Sequence, residues 1–204
     1  MDFLKPSRED LPVNSRVYIA NVDGINILEK DQKNNAWCTV KNYSYAELSN
    51  KDIKMENDGP VYAEFRVRKL INENIKTVFE YVANVKTHPE YADFVDNLSI
   101  ISDNKSGLGV VFTQTHPNSS EEYTSEITVF NPPKQVQWIV ERDPANLTIN
   151  YWFNNKNGST EIIHTGITRI YPDQQTTLFS NISELKEHYN NNVRELNSLQ
   201  KILE

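Results

Sequence analysis

A chain of 204 residues has room for one full domain and an additional segment, but not for two ordinary domains. The net charge of -7 argues against a nucleic-acid-binding protein, which needs clustered Lys and Arg. It also argues against binding to an anionic membrane surface. A single cysteine, Cys38, excludes an intramolecular disulfide framework and a cysteine-rich metal site. The first ten residues lack the apolar core of a signal peptide, and no run approaches the roughly 20 apolar residues of a membrane span. We therefore expect a cytoplasmic protein without a membrane span.

Residues 1–58 are predicted to form an extension that contains a β-hairpin and a linker. The strand-like segments 16–20 and 25–28 flank an Asp-Gly pair, which is typical of a tight hairpin turn. A weaker strand-like segment follows at 37–45, and the charged, turn-rich run 49–59 is typical of a linker. The pattern assigns this extension no function, and it leaves open a lid, a dimer arm or an extra pair of edge strands.

The pattern becomes regular after the linker. Apolar and charged residues alternate through 61–71, which is the period of a half-buried β-strand. Apolar residues then recur at helical spacing, so a short amphipathic helix is predicted over 75–84. His88-Pro89 interrupts this helical pattern, and a second short helix is predicted over 90–95.

Six further strands and a long helix complete the predicted elements. The strands are predicted at 98–102, 108–115, 122–130, 135–142, 147–153 and 160–170. Asn, Asp, Gly, Pro and Ser fill the short breaks between them, and strands joined by short turns pair as antiparallel neighbours. Apolar residues at helical spacing from Ile182 to Leu203 predict a terminal helix of about 20 residues.

This order predicts an α+β domain over residues 59–204. Seven strands form a curved antiparallel sheet with one large apolar face, and the terminal helix is the only long element that can cover it. One helix leaves space on the concave side of such a sheet, and a space of this kind is a ligand cavity by default. We therefore expect an apolar cavity of ligand size between the sheet and the helix.

Several short motifs in this domain occur in the order and spacing of a known family. The motifs are Ile71-Asn72, Thr77-Val78-Phe79-Glu80-Tyr81-Val82-Ala83-Asn84, His88-Pro89-Glu90-Tyr91, Thr115-His116-Pro117, Tyr123-Thr124-Ser125, Pro132-Pro133, Gly158-Ser159-Thr160-Glu161 and Val193-Arg194-Glu195-Leu196-Asn197. With them, residues 71–204 resemble the polyketide aromatase/cyclase family of the Bet v 1-like/START superfamily. The resemblance implies the helix-grip fold, in which a seven-stranded curved sheet wraps around a long C-terminal helix and two short helices follow the first strand.

The resemblance also implies an activity. Members of this family take a poly-β-ketone chain tethered to an acyl carrier protein, direct one aldol ring closure and promote the dehydration that aromatises the ring, without a cofactor. A shaped pocket selects one closure by positioning the chain, and the chemistry needs a proton donor and a proton acceptor in the pocket. This sequence departs from the family's pattern at three positions. The family commonly has an arginine at about Ile127, a tyrosine at Val95 and a tryptophan at Tyr123.

Two residues are candidates for the acid and the base. His164 shares a strand face with Ile162, on the strand that carries an active-site histidine in some family members, and its alternative is a hydrogen-bonded structural histidine. Glu195 matches an acidic position of the family's last helix. A carboxyl group that faces an apolar cavity has a raised pKa and can donate a proton, whereas the alternative is a solvated surface carboxylate.

Other side chains are candidates for substrate contacts. Tyr123 and Ser125, on one strand face, can hydrogen-bond substrate oxygens or simply form the cavity wall. Arg142 is a candidate substitute for the missing arginine, and its alternative is a solvated edge charge. The predicted cavity-lining residues are Phe65, Phe79, Phe94, Phe112, Ile127, Trp138, Tyr151, Tyr189 and Asn192.

The competing hypothesis is a binding protein of the same superfamily. The missing arginine near Ile127 favours a non-catalytic START-like carrier of a lipid, quinone or polyketide. A chaperone-linked interaction protein is a third alternative, for which the sequence has no positive signal. We expect no metal, because the histidines lack metal-site spacing, and no cofactor. The sequence defines neither the oligomeric state, nor the chain length of a polyketide substrate, nor the position of its rings.

Overall fold

The structure is a computed structural model that describes residues 11–31, 33, 35–48, 53–55, 58–117, 121–142, 145–171 and 181–204. The strands in these residues are β1 (Arg16–Asn21), β2 (Gly24–Lys30), β3 (Trp37–Ser44), β4 (Val61–Ile71), β5 (Leu98–Ile100), β6 (Val111–Thr115), β7 (Glu122–Asn131), β8 (Gln135–Val140), β9 (Leu147–Lys156) and β10 (Ser159–Ile170). The helices are α1 (Tyr45–Leu48), α2 (Ile75–Ala83), α3 (His88–Tyr91) and α4 (Ile182–Leu203), with a 3-10 turn at Val85–Thr87 between α2 and α3. The predicted α+β class with a long C-terminal helix is confirmed.

The described strands form one sheet of ten strands, so the prediction of seven is wrong. Their order is β3-β2-β1-β4-β10-β9-β8-β7-β6-β5. The seven predicted strands correspond to β4–β10, and the N-terminal extension supplies the other three. β1 runs parallel to β4, with Arg16 beside Val61 and Ala20 beside Phe65. A free edge of β4 would leave backbone N–H and C=O groups unpaired, and β1 supplies partners for its first five residues, Val61 to Phe65.

Several element boundaries differ from the predictions, and two of the differences have clear local reasons. β6 begins at Val111 and not at 108, because Gly107 and Gly109 have φ angles of 83° and 76°, outside the strand region. The second short helix covers His88–Tyr91 and not 90–95. Pro89 stands in its first turn, where the missing backbone N–H has no helical partner to lose.

The described residues divide into two compact units. The first unit takes its described residues from Met1–Arg66 and Ile167–Tyr189, with a short piece at Ala145. The second takes them from Val67–Arg142, Asn146–Gly166 and Asn190–Glu204. Because each unit combines distant parts of the chain, neither unit is one of the two domains predicted from the sequence. The boundary between residues 58 and 59 stays a prediction, and part of the predicted linker at 49–59 lies outside the described residues.

The first unit contains a hairpin at the predicted place, but its turn lies one residue before the predicted Asp23-Gly24 pair. β1 and β2 pair antiparallel across the turn at Val22-Asp23, with Asn21 beside Gly24. Gly24 has a φ of +143°, and a Cβ atom there would lie 1.9 Å from the carbonyl oxygen of Tyr43 on β3. A glycine is therefore required where β2 and β3 approach each other.

The second unit contains a buried face of the sheet. The cross-strand register puts Ile127, Trp138 and Ile149 in one row and Phe112, Ser125 and Val140 in the next, and all six side chains are buried. Along the part of α4 in this unit, the buried residues recur at i, i+3, i+4 and i+7. They are Asn192, Glu195, Leu196 and Leu199. Two polar side chains thus occupy an otherwise apolar helical stripe.

None of the helices in the described part of the chain is long and apolar enough to cross a membrane.

Candidate functional site

The centre of the candidate site is a buried histidine. His164 lies on β10 and is 1% exposed. Its Nδ1 atom is 3.2 Å from the backbone oxygen of Asn150 on β9, and its Nε2 atom is 2.7 Å from Oδ1 of Asn192 on α4. The imidazole ring stacks on Tyr151, with 4.0 Å between the ring centroids and 16° between the planes. A strand neighbour, a helix and an aromatic face therefore fix the ring orientation.

Glu195 lies beside this histidine. Its side chain is 1% exposed, and its Oε2 atom is 3.8 Å from Nε2 of His164. The hydroxyl of Tyr151 donates a hydrogen bond to Oε1. The alternative of a solvated surface carboxylate is therefore wrong. The structure brings together four predicted site residues, namely His164, Glu195, Tyr151 and Asn192.

Burial shifts the pKa values of the acid and the base in opposite directions. Burial raises the pKa of Glu195 from 4.5 to about 8, against the lowering effect of the Tyr151 hydrogen bond, and the charge of Asp93 raises it further. Burial lowers the pKa of His164 from 6.5 to about 4, although its hydrogen bonds to Asn192 and Asn150 raise it. Both shifts have the same cause, since a buried group loses the hydration of its charged form. At neutral pH the site therefore holds a neutral carboxylic acid beside a neutral imidazole.

This pair holds one exchangeable proton. If the proton moves from Glu195 to His164, a carboxylate and an imidazolium form without any change in the number of bound protons. The surrounding hydrogen bonds stabilise that charged state, because the Tyr151 hydroxyl donates to the carboxylate and two oxygen atoms face the imidazolium. The arrangement can therefore donate and accept protons as a unit.

A chain of aromatic contacts leads away from the pair. Trp138 on β8 lies 5.1 Å from Tyr151 between ring centroids, and His88 on α3 lies 5.7 Å from Trp138. Tyr91, one turn along α3, lies 5.3 Å from His88. Phe112 also packs edge-on against Trp138, with 6.2 Å between the ring centroids. The short helix α3 thus adds two polar aromatic rings to the site.

Several buried polar atoms here have no hydrogen-bond partner within the described residues. They are Tyr91 Oη, His88 Nδ1, Gln114 Oε1 and Ser125 Oγ. Of these residues, only Ser125 was singled out from the sequence as a candidate for polar contacts. An unpaired buried polar atom costs free energy in a folded protein, so each of these four atoms would be stabilised by a hydrogen bond to a water molecule or to a bound ligand.

Tyr123 and Arg142 form a separate cluster. The guanidinium of Arg142 lies over the Tyr123 ring, 4.4 Å from its centroid, and donates to the Tyr123 hydroxyl at 3.2 Å. That hydroxyl donates to Glu121, and His116 packs against the same ring at 5.1 Å. The Tyr123 hydroxyl is therefore already paired, and the partly exposed Arg142 is held by its own neighbours. The predicted roles of Tyr123 and Arg142 toward a substrate stay predictions.

The predicted cavity-lining residues are distributed over several places. Phe79 and Ile127 line a pocket of about 160 Å³ whose other walls come from α2, the 105–107 loop, Val110 and Phe130. Phe94 contacts His88 at 6.2 Å and stays partly exposed. Two others belong to the first unit: Phe65 packs against His188, and Tyr189 packs against Tyr45. The ligand-sized cavity predicted between the sheet and the terminal helix stays a prediction.

Sequence analysis missed His88 and Tyr91 as site residues. They lie in the motif His88-Pro89-Glu90-Tyr91, which forms part of the family resemblance. The sequence shows where this motif lies, but it does not predict how deeply α3 is buried, because that depends on packing against β8. The described residues contain no group of three or more His, Cys, Asp and Glu side chains that could hold a metal ion.

The chain was compared with known proteins by sequence and by structure, and only the solved structures match it. No family model matches the chain, and no curated protein matches it in sequence. Among solved structures, the di-domain ARO/CYC StfQ from the steffimycin biosynthetic pathway matches with a TM-score of 0.54 at 12% identity, over 70% of this chain and 51% of that chain. Ara h 8.0201 matches with a TM-score of 0.54 at 10% identity, over 70% of this chain and 97% of that chain. TTHA0849 from Thermus thermophilus matches with a TM-score of 0.52 at 12% identity, over 69% of this chain and 96% of that chain.

The chain has the Bet v 1-like fold. The resemblance stated from the sequence motifs is confirmed at this level. Because the identities are 12% or lower, the Bet v 1-like likeness establishes the fold and carries no activity with it. The matched region spans about half of the di-domain StfQ chain.

Proposed function

We propose that this Bet v 1-like protein is a cofactor-independent polyketide aromatase/cyclase that acts on a poly-β-ketone tethered to an acyl carrier protein. The observation that carries the proposal is the buried pair of Glu195 and His164, with 3.8 Å between Oε2 and Nε2. Aldol closure and dehydration each need one proton removed and one proton delivered, and this pair supplies both without a metal or a cofactor. StfQ, a di-domain ARO/CYC from the steffimycin biosynthetic pathway, shares the fold in which this pair lies.

In the first step, the neutral imidazole of His164 removes a proton from a methylene group between two ketones. The resulting carbanion attacks a second carbonyl carbon of the chain and forms the new carbon–carbon bond. Glu195 delivers its proton to the carbonyl oxygen, which becomes a hydroxyl group. The pair is then an imidazolium and a carboxylate, the state that Asn192, Asn150 and Tyr151 stabilise by hydrogen bonds.

The second step reverses these roles. The Glu195 carboxylate removes the remaining proton from the carbon beside the new hydroxyl group. The imidazolium of His164 protonates that hydroxyl, which leaves as water while a carbon–carbon double bond forms. The carboxylic acid and the neutral imidazole are restored, so closure and dehydration together leave the pair unchanged.

A reconstituted minimal polyketide synthase tests this proposal. Added to the ketosynthase and its acyl carrier protein, the wild-type protein is expected to shift the products from spontaneous shunt compounds to one cyclised, dehydrated compound. Product profiles by liquid chromatography and mass spectrometry give the readout. If the wild-type protein leaves the profile of shunt products unchanged across chain lengths, the catalytic proposal is wrong.

The second candidate function is a non-catalytic carrier of a hydrophobic ligand such as a lipid, quinone or polyketide. The observation that favours it is Ile127, a buried apolar residue where the family commonly has an arginine that polarises a ketone. A carrier would retain its ligand through purification. Native mass spectrometry of the purified protein would then show a bound apolar molecule, together with an unchanged product profile in the synthase assay.

A further inference from the structure

Two of the unpaired buried atoms lie together on α3. The Tyr91 side chain is 1% exposed, His88 is 5% exposed, and their rings are 5.3 Å apart. Neither Tyr91 Oη nor His88 Nδ1 has a hydrogen-bond partner among the residues that the structure describes. A phenol and an imidazole that serve only to fill space would be replaced by Phe and Leu at lower cost, because those side chains bury no polar atom.

Both groups are close to the acid–base pair. His88 packs edge-on against Trp138, Trp138 packs against Tyr151, and the Tyr151 hydroxyl binds Glu195. Glu195 also acts on Tyr91: burial, and after it the negative charge that Glu195 carries once it is ionised, raises the pKa of Tyr91 well above its ordinary value. The Tyr91 hydroxyl therefore keeps its proton and is a hydrogen-bond donor near the carboxyl group.

His88 complements this donor. Burial, followed by the neighbouring His164 and His116, lowers its pKa to about 3, so the ring is neutral at physiological pH. A neutral imidazole nitrogen either donates or accepts one hydrogen bond, depending on the tautomer. A ligand hydroxyl satisfies both cases, because its oxygen accepts and its proton donates. The two residues thus offer one donor for a carbonyl oxygen and one partner for a hydroxyl group.

We propose that Tyr91 and His88 form an oxygen-binding subsite in which Tyr91 donates to a ligand carbonyl or hydroxyl oxygen and His88 Nδ1 pairs with a ligand hydroxyl. The ligand class is a neutral, flat, largely apolar molecule with oxygens on alternate carbons, as in an enolised β-diketone or a resorcinol-type ring. This inference rests on the proposed function only in placing the ligand beside Glu195. It holds equally for a catalyst and for a carrier.

Binding of two simple probes tests the subsite. The probes are 1,3-dihydroxynaphthalene, which carries two hydroxyl groups on alternate carbons, and naphthalene, which has the same ring system without oxygen. By isothermal titration calorimetry, the wild-type protein is expected to bind the diol more tightly than naphthalene. Tyr91→Phe is expected to weaken diol binding by about fivefold, the contribution of one hydrogen bond, and to leave naphthalene binding unchanged. His88→Phe is expected to have a similar effect.

Tyr81→Phe is the matched control, since the Tyr81 ring lies 6.1 Å from Tyr91 but its hydroxyl donates to Glu90. This variant is expected to leave the binding of both probes unchanged. The melting temperature of ligand-free Tyr91→Phe separates a ligand-binding role from a structural one. A hydroxyl with no partner in the fold predicts a melting temperature equal to or above that of the wild-type protein.

Three results would overturn the inference. They are a lower melting temperature of Tyr91→Phe with no selective loss of diol binding, equal diol binding by wild type and Tyr91→Phe, and no diol binding by the wild type. The synthase assay is independent of these measurements. An unchanged product profile together with selective loss of diol binding in Tyr91→Phe would reject the cyclase and keep the subsite.

Discussion

Glu195→Gln is expected to lower the rate of ring closure by about 100-fold or more, the usual contribution of a positioned general acid. Glutamine has the shape of the neutral carboxylic acid that Glu195 forms at neutral pH, so the fold and the Tyr151 contact are retained while the transferable proton is lost. The rate of product formation in the reconstituted synthase gives the readout. Circular dichroism of the same sample shows that the variant is folded.

Two further variants make this measurement specific. Glu187→Gln changes an exposed carboxylate on the same helix and is expected to leave the rate unchanged. His164→Gln removes the base, and the double variant with Glu195→Gln is expected to be no slower than either single variant, because the two residues exchange one proton as a unit. Additive losses in the double variant, or full activity of Glu195→Gln, would contradict the mechanism.

The stability of the wild-type protein is expected to fall by about 2 kcal/mol as the pH rises from about 6.5 to above 8, and Glu195→Gln is expected to remove this fall. In the unfolded chain Glu195 ionises near pH 4.5, whereas in the folded protein it stays protonated up to a pKa of about 8. Between these values the folded state binds one more proton than the unfolded state. Each rise in pH therefore favours unfolding, until the folded protein also ionises.

The buried histidines have the opposite effect at lower pH. The pKa values of His164 and His88 fall from 6.5 to about 4 and about 3 in the folded state. The unfolded state binds more protons below pH 6.5, so these two groups make the protein less stable as the pH falls from 6.5 toward 3. Between pH 4.5 and 6.5 the destabilising effect of the two histidines as the pH falls is larger than the stabilising effect of the single Glu195. Taken together, the three groups predict maximum stability near pH 6.5.

Urea unfolding measured at a series of pH values tests this prediction. The difference between wild type and Glu195→Gln isolates the carboxyl group, because all other titrating groups are shared. The variant is expected to be the more stable protein at pH 9. If the stability difference between wild type and Glu195→Gln instead stays constant from pH 6.5 to 9, Glu195 is already ionised in the folded state at pH 6.5 and the neutral pair does not exist.

The fold was largely predictable from local sequence patterns. Apolar and charged residues alternate in β4, because a half-buried strand has a side-chain period of two residues. Turn residues mark the breaks between the strands from β5 to β10. The three strands of the extension were not counted in the sheet. β1 pairs parallel with β4 across an intervening segment of about 40 residues, and no local pattern specifies such a distant partner.

The candidate site was predictable only in part. Glu195 stands in a polar stretch of α4, and its burial becomes visible only when the buried stripe of that helix is known. His164 and Asn192 are 28 positions apart, and their 2.7 Å contact depends on how α4 packs on β10. The Tyr91 and His88 side chains carried no local signal, because the same residues on an exposed α3 would be ordinary surface groups.

The central claim is that a neutral Glu195 carboxyl group lies beside a neutral His164 at physiological pH. Carbon-13 NMR of protein labelled at the side-chain carboxyl carbon of glutamate measures this most directly, with the Glu195 signal identified by its loss in Glu195→Gln. The signal is expected to titrate with a midpoint of about 8. A midpoint near the ordinary 4.5 would show a carboxylate at neutral pH and would contradict both the acid–base pair and the mechanism built on it.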